Sequence, residues 1–226
     1  MPDEHTDWPR LLSLLVHELR TPVNVAGGYL RMLLDARAGP IEERQRTMLE
    51  HASRSVDAIA ALLGEASELA RLERADQRPP ARRGDLGALA REAAEAFAPP
   101  PHSQVTVECR SLAAATPIDA DLDRLRRALV ACLVALAREL PEDGRLVLET
   151  AEQDRDAVVL RLGEAHQLES LPRGDAAWGP LDEWRGGVGL GLAVARRVVA
   201  HGGGQLQSPR SESRVPAVRV VLPRAR

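Results

Sequence analysis

His17, Glu18 and Thr21 place a nucleophilic imidazole, a carboxylate and a hydroxyl close together in this chain. They stand in the run H-E-L-R-T-P, within a stretch from Leu11 to Leu34 that reads as one amphipathic helix. Leu12, Leu15, Leu19, Pro22, Ala26, Tyr29 and Leu33 recur at three-and-four spacing and predict an apolar seam. His17 falls away from that seam, and Thr21, one turn on, shares its face. A neutral imidazole is a nucleophile, and the Glu18 carboxylate can accept the proton from the far ring nitrogen or stabilise the cation. Pro22 has no N–H, so the Glu18 carbonyl loses its helical partner and a bend is expected just after the histidine.

A second candidate is the glycine run Gly186-Gly187-Val188-Gly189-Leu190-Gly191, which leads into a helix at Ala193. Glycines at a helix N-terminus let backbone N–H groups close on phosphate oxygens, helped by the helix dipole. No strand leads into the run, so it is not a dinucleotide-binding fingerprint, and on its own it reads equally well as a hinge.

The hydrophobic pattern outlines the surrounding helices and strands. The first helix is expected from about Trp8 to Ala36, with Ala38-Gly39-Pro40 as a stop and turn. The second is expected from about Ile41 to Ala75. Its rhythm is Met48, Ala52, Ser55, Ile59, Leu62, Ala66 and Leu69, with Val56, Leu63 and Ala70 beside it. Such a hairpin leaves a broad stripe bare, so a second copy is expected to cover it in a dimeric four-helix bundle. A monomeric hairpin packed on its own C-terminal domain is the competing arrangement. Gln77 to Gly84 is proline-rich and basic and reads as a linker, giving domains at residues 1–78 and 84–226.

Beyond the linker, helices are expected at Asp85–Phe97, Asp119–Leu140 and Leu190–Ala200. Strands are expected at Gln104–Arg110, Arg145–Thr150, Ala157–Leu162 and Val215–Leu222, and Glu164 to Arg185 reads as irregular. The fold class is therefore α+β: a helical hairpin followed by a two-layer α/β sandwich.

Composition narrows the partners. The chain has 226 residues and a net charge of -3, which gives no reason to expect nucleic acid or an anionic membrane. Every basic residue other than histidine is Arg, which with the many alanines suggests a GC-rich bacterial genome. Cys109 and Cys132 lack metal-ligand or C-x-x-C spacing and suit a reducing compartment. The acidic start is no signal peptide, and the longest apolar run, Ala128 to Ala137, falls short of the ~20 residues a bilayer needs. A cytoplasmic protein without membrane insertion is expected, receiving its input from a partner.

The run from His17 to Pro22 resembles the phosphoacceptor box of two-component sensor histidine kinases. Gly187-Val188-Gly189-Leu190-Gly191-Leu192, followed by a helix and His201-Gly202-Gly203, looks like the second glycine box of the same family's ATP domain. The two boxes, in family order and spacing, extend the resemblance over nearly the whole chain. It implies an ATP-binding sandwich of the histidine-kinase type, with Gly187, Gly189 and Gly191 against phosphate. ATP and Mg²⁺ are the cofactors it implies, and a response-regulator receiver domain is the partner.

Two other boxes depart from the family. Ala131 and Ala135 stand where its asparagines belong, and a methyl group cannot ligate Mg²⁺, which takes oxygen donors. Arg138 occupies a usual basic position and could still touch phosphate. The aspartate that reads adenine is replaced by Leu162 or Glu164, depending on register, and the glycines after it are missing. Losing a charged hydrogen-bond partner costs roughly 1.5–3 kcal/mol. These departures make the ATP site degenerate and count against ATP use. Exchange of a phosphoryl group between His17 and a receiver aspartate, with Thr21 supporting receiver dephosphorylation, is the leading expectation. An upstream kinase or sensor protein would belong to such a relay. An ATP-dependent autokinase with a divergent site and a non-enzymatic dimeric decoy are the alternatives.

Overall fold

The computed structural model describes residues 7–74, 81–101, 103–112, 115–150, 156–171, 175–181, 189–210 and 216–226. The chain divides into two compact units, Met1–Arg74 and Ala75–Arg226.

The first unit is an antiparallel pair of helices, α1 (Trp8–Leu34) and α2 (Glu43–Glu73). Pro9 sits in the first turn of α1, where its missing N–H costs nothing, and the Asp7 carbonyl accepts from the Arg10 and Leu11 amides. Ala36 (φ 55°) and Gly39 (φ 114°) turn the chain. The Gln45 side chain accepts from the Glu42 amide at 2.9 Å, half of a capping box that starts α2. At the other end, Arg74 Nη2 donates to Ser13 Oγ at 2.9 Å, so the last turn of α2 grips the first turns of α1.

The single expected seam is corrected to two stripes. Val16 and Gly27 are buried, with Leu12, Val23 and Leu30 half-buried along the same side of α1. Leu15, Leu19 and Tyr29 of the expected seam are exposed, as are Leu11, Val25 and Met32. Met48 and Ile59 are exposed on α2. The helix is apolar over more than the roughly 100° a single partner covers. The periodicity alone therefore did not say which stripe meets α2.

The second unit begins with β1 (Arg82–Asp85), α3 (Leu86–Glu95), β2 (Thr106–Arg110), β3 (Pro117–Ala120) and α4 (Leu122–Ala137). It continues with β4 (Arg145–Thr150), β5 (Ala157–Glu164), α5 (Ala165–Ser170), a 3-10 turn (Asp175–Ala177) and β6 (Trp178–Pro180). It closes with α6 (Gly191–His201), β7 (Gln205–Pro209) and β8 (Ala217–Pro223). Six strands form one sheet in the order β2-β4-β5-β8-β7-β6, antiparallel except for β2 with β4, while β1 and β3 pair separately.

Strand alternation gives the sheet two faces. Leu160, Leu162 and Leu222 point to the helical side, where a Cβ on Gly202 or Gly204 of the α6–β7 turn would touch Leu222. Leu125, Leu129, Leu133 and Leu136 of α4 complete the fully buried core. Asp85 caps α3, accepting from the Ala88 amide at 2.8 Å and the Thr116 amide at 2.6 Å. Burial alone would raise its carboxyl, but these hydrogen bonds together hold it below the usual value.

The expected helix start at Asp119 is corrected: Pro117–Ala120 pairs with Arg82–Asp85 as a strand, and α4 begins at Leu122 behind the Asp121 cap. The irregular reading of Glu164 to Arg185 is also corrected in its described part. Leu168 and Trp178 are both 2% exposed and pack with Val147 and Ala217. Burying these two side chains turns a polar-looking segment into α5 and β6.

Candidate functional site

The reactive groups of the first unit lie on the polar side of α1. The His17 and Glu18 side chains are 81% and 70% exposed, and His17 Nδ1 stands 3.3 Å from Glu18 Oε1. With the ring proton on Nδ1, that nitrogen donates to the carboxylate and the Nε2 lone pair remains for an electrophile. Arg20, Thr21, Pro22 and Asn24 are exposed on the following turns. The helix continues through Pro22, which leaves the Glu18 carbonyl without its intrahelical donor.

The second unit brings other sequence candidates to one end of its sandwich. Glu164 pairs with Leu146 at the end of β5, and Arg138 caps the C-terminus of α4 one short loop before β4. From Gly191, α6 runs to Gly204 and β7, whose Gln205 pairs with Val221, at the other end of β8 from Ala217. The α6 N-terminus thus returns to the end of the sheet that holds Glu164. Gly189 has φ 121°, which a side chain would strain, and Leu190 caps α6 with its backbone only. Gly187, with Gly186 and Val188, lies outside the described residues.

Leu162 is 0% exposed and belongs to the helical-side core, so its position serves packing. Gly163 is fixed as glycine, since a Cβ would come within 2.9 Å of the Pro216 carbonyl oxygen. Glu164 is half-buried and opens α5, and His166 beside it is exposed.

Several charged residues were not singled out in the sequence. Arg161, 2% exposed, pairs through Nη1 with Glu149 Oε1 at 3.4 Å and donates through Nη2 to the Leu168 carbonyl. Arg219, 7% exposed, pairs with Asp175 Oδ1 at 2.6 Å and lies over the Trp178 ring, 5.8 Å from its centroid. The available signal was an arginine interrupting each of two apolar strands, V-V-L-R-L and A-V-R-V-V.

Ala131 and Ala135 are half-buried on α4 and offer only methyl groups. Among the described residues no cluster of three or more histidine, cysteine or acidic side chains could hold a metal. The glycine start of α6 suits phosphate, whereas the methyl groups of Ala131 and Ala135 offer Mg²⁺ no oxygen. Also among the described residues, no helix is long and apolar enough to cross a membrane.

An exposed imidazole on a helical hairpin, followed by a mixed sandwich with a glycine-led helix, is the architecture of a histidine phosphoacceptor joined to a kinase-type domain. Residues 9–75 match the family described as His Kinase A (phospho-acceptor) domain. The sensor protein PfeS of Pseudomonas aeruginosa is 32% identical over 203 residues, covering 87% of this chain and 43% of PfeS. The crystal structure of full-length ShkA in complex with AMPPNP superposes with a TM-score of 0.69 at 22% identity, covering 96% of this chain and 45% of ShkA. The histidine kinase ThkA in complex with the response regulator TrrA gives a TM-score of 0.56 at 16% identity, covering 96% of this chain and 61% of ThkA. The chain belongs to the two-component sensor histidine kinase family. It spans about half or less of three curated relatives, 54%, 21% and 43% of their lengths.

Proposed function

We propose that this chain carries a phosphoryl group on His17 and exchanges it with an aspartate of a response-regulator receiver domain. The observation that carries the reading is the His17–Glu18 contact at 3.3 Å, which orients an exposed imidazole within the phosphoacceptor domain.

In the transfer, His17 Nε2 attacks the phosphorus of the receiver's aspartyl phosphate in line. The P–N bond forms as the P–O bond to the aspartate breaks, and the carboxylate leaves with the bonding pair. The Nδ1 proton stays against Glu18, whose charge balances the phosphoimidazolium. The reverse transfer returns the phosphoryl group to the receiver. Thr21, one turn on, positions water for hydrolysis of the receiver's acyl phosphate. The complex of ThkA with a response regulator supports this class of partner.

A second copy of this chain covers the exposed stripe of Leu15, Leu19, Tyr29, Met48 and Ile59, which makes the working form a homodimer. The protein acts in the cytoplasm, and an upstream kinase or sensor charges the relay. Ala131 and Ala135 favour a phosphorylated receiver over Mg-ATP as the donor to His17. The competing reading, an ATP-dependent autokinase, draws on Gly189 and Gly191 at the start of α6 and on the AMPPNP bound to ShkA.

The test offers the chain two labelled donors, with His17→Gln beside it: Mg-ATP labelled at the γ-phosphate, and receiver domains charged with labelled acetyl phosphate. Label from a receiver on the wild type, absent from His17→Gln, is expected, with none from ATP. Label from ATP selects the autokinase reading. No label from either donor overturns both.

A further inference from the structure

After β5 the chain turns onto the face of the sheet opposite the helices. Arg161, Gly163, Ala217 and Arg219 point to this face, and α5 and the 3-10 turn pack over it. Past the 3-10 turn, β6 joins the sheet edge. The Arg210 amide donates to the Ala177 carbonyl at 2.8 Å and the Leu181 amide to the Leu206 carbonyl at 3.3 Å. Residues 165–171 and 175–181 therefore lie as the two halves of a strap over this outer face, beyond Glu164.

The two halves of the strap are held differently. Its first half is fixed by Arg161, which grips the Leu168 carbonyl and also pairs with Glu149 inside the sheet. The outer half is held by Arg219. That guanidinium is 7% exposed, and among the described residues neither its Nε nor its Nη1 has a hydrogen-bond acceptor, so the Nη1 contact with Asp175 is an ion pair alone. Its charge is met by the Asp175 carboxylate and the face of Trp178. The Asp175 side chain is itself 88% exposed.

We propose that the outer half of this strap, residues 175–181, has two states, seated and lifted, and that Asp175 is the pin that keeps it seated. A buried guanidinium left without its carboxylate is strongly unfavourable. Lifting the 3-10 turn and β6 hydrates Arg219 and uncovers Trp178. It leaves the helical-side core of Leu125, Leu129, Leu133 and Leu160 closed, because that core lies across the sheet. The outer half of the strap is thus a locally opening unit, distinct from the helical layer.

Native-state hydrogen exchange on the full chain tests this, with the Leu181 and Arg210 amides reporting the strap and the Ala195–Val199 amides reporting α6. Asp175→Asn is expected to speed exchange at Leu181 and Arg210 by about tenfold or more while α6 stays unchanged. Asp175→Glu, which keeps the charge, is expected to retain protection. In a Trp8→Phe, Trp184→Phe background, Trp178 emission should shift to the red with Asp175→Asn. Strap and α6 amides accelerating together would overturn the separate unit, and unchanged exchange at Leu181 and Arg210 would overturn the pin. Neither result bears on phosphoryl transfer at His17.

Discussion

Gly27 of α1 and Val56 of α2 meet across the hairpin: a Cβ built on Gly27 would lie 3.5 Å from Val56 Cγ1. That is ordinary contact distance, so alanine fits and a larger side chain must displace the valine. A Cβ on the neighbouring Gly28 meets nothing within 4 Å. Glycine inside a helix costs about 1 kcal/mol against alanine. Gly27→Ala and Gly28→Ala should each stabilise the hairpin by up to about that amount, while Gly27→Leu should destabilise it by about 1–3 kcal/mol through overpacking. Thermal unfolding of the three variants at one protein concentration checks the order.

Glu18→Gln keeps the size of the side chain and removes its charge from beside Nδ1. Because both side chains are exposed, the fold should be unaffected. Phosphoryl transfer onto His17 should slow by about a hundredfold, in the range of general acid–base effects. Thr21→Ala should leave that transfer intact and slow the release of inorganic phosphate from the charged receiver. Following label on the histidine and phosphate release in parallel separates the two roles.

Ala131 and Ala135 make a prediction about metal dependence. Binding of a fluorescent ATP analogue to the wild type should be the same in Mg²⁺ and in EDTA. Ala131→Asn with Ala135→Asn supplies two amide oxygens on α4, at a helix-propensity cost of at most about 0.7 kcal/mol each. The double variant should bind more tightly with Mg²⁺ than with EDTA. A titration in each buffer checks both statements.

Cys132 ties the second unit to alkaline pH. Complete burial pushes its thiol from an ordinary 9.0 up to about 12. Between those values the unfolded chain releases a proton that the folded chain keeps. Stability is therefore unaffected below about pH 9 and falls by roughly a kcal/mol per pH unit above it. Cys132→Ala should flatten that decline while lowering stability at neutral pH through the small cavity. Urea unfolding from pH 7 to 11 would show both effects.

The hairpin was legible because its two stripes have helical period and its turn carries glycine and proline. Trp8–Leu34 and Glu43–Glu73 lie within the expected spans. Arg145–Thr150 appears over the expected residues, and Leu190 proves to cap α6 rather than begin it. Short elements fixed by distant partners were not legible. Arg82–Asp85 looks like linker until Pro117–Ala120 pairs with it, and Gln205–Pro209 alternates too weakly to stand out from its neighbours. The outer face escaped notice because a lone arginine in an apolar strand resembles a solvent-facing residue until something covers it. The glycine spacing pointed to Gly189 and Gly191, which stand at the start of α6. Only tertiary packing assigns Leu162 to the core.

The sheet order carries a consequence for how the second unit comes into being. The last strand in the sequence, β8, is a central one, with β5 on one side and β7 on the other. Until Ala217–Pro223 has been synthesised, β2, β4 and β5 have no link to β7 and β6, and the nascent sheet is two open-edged fragments. The hairpin, whose contacts are nearer in sequence and already in hand, can fold while its neighbour waits. The hairpin that bears His17 is thus synthesised before the second unit, and Ala217–Pro223 joins the two halves of that unit's sheet.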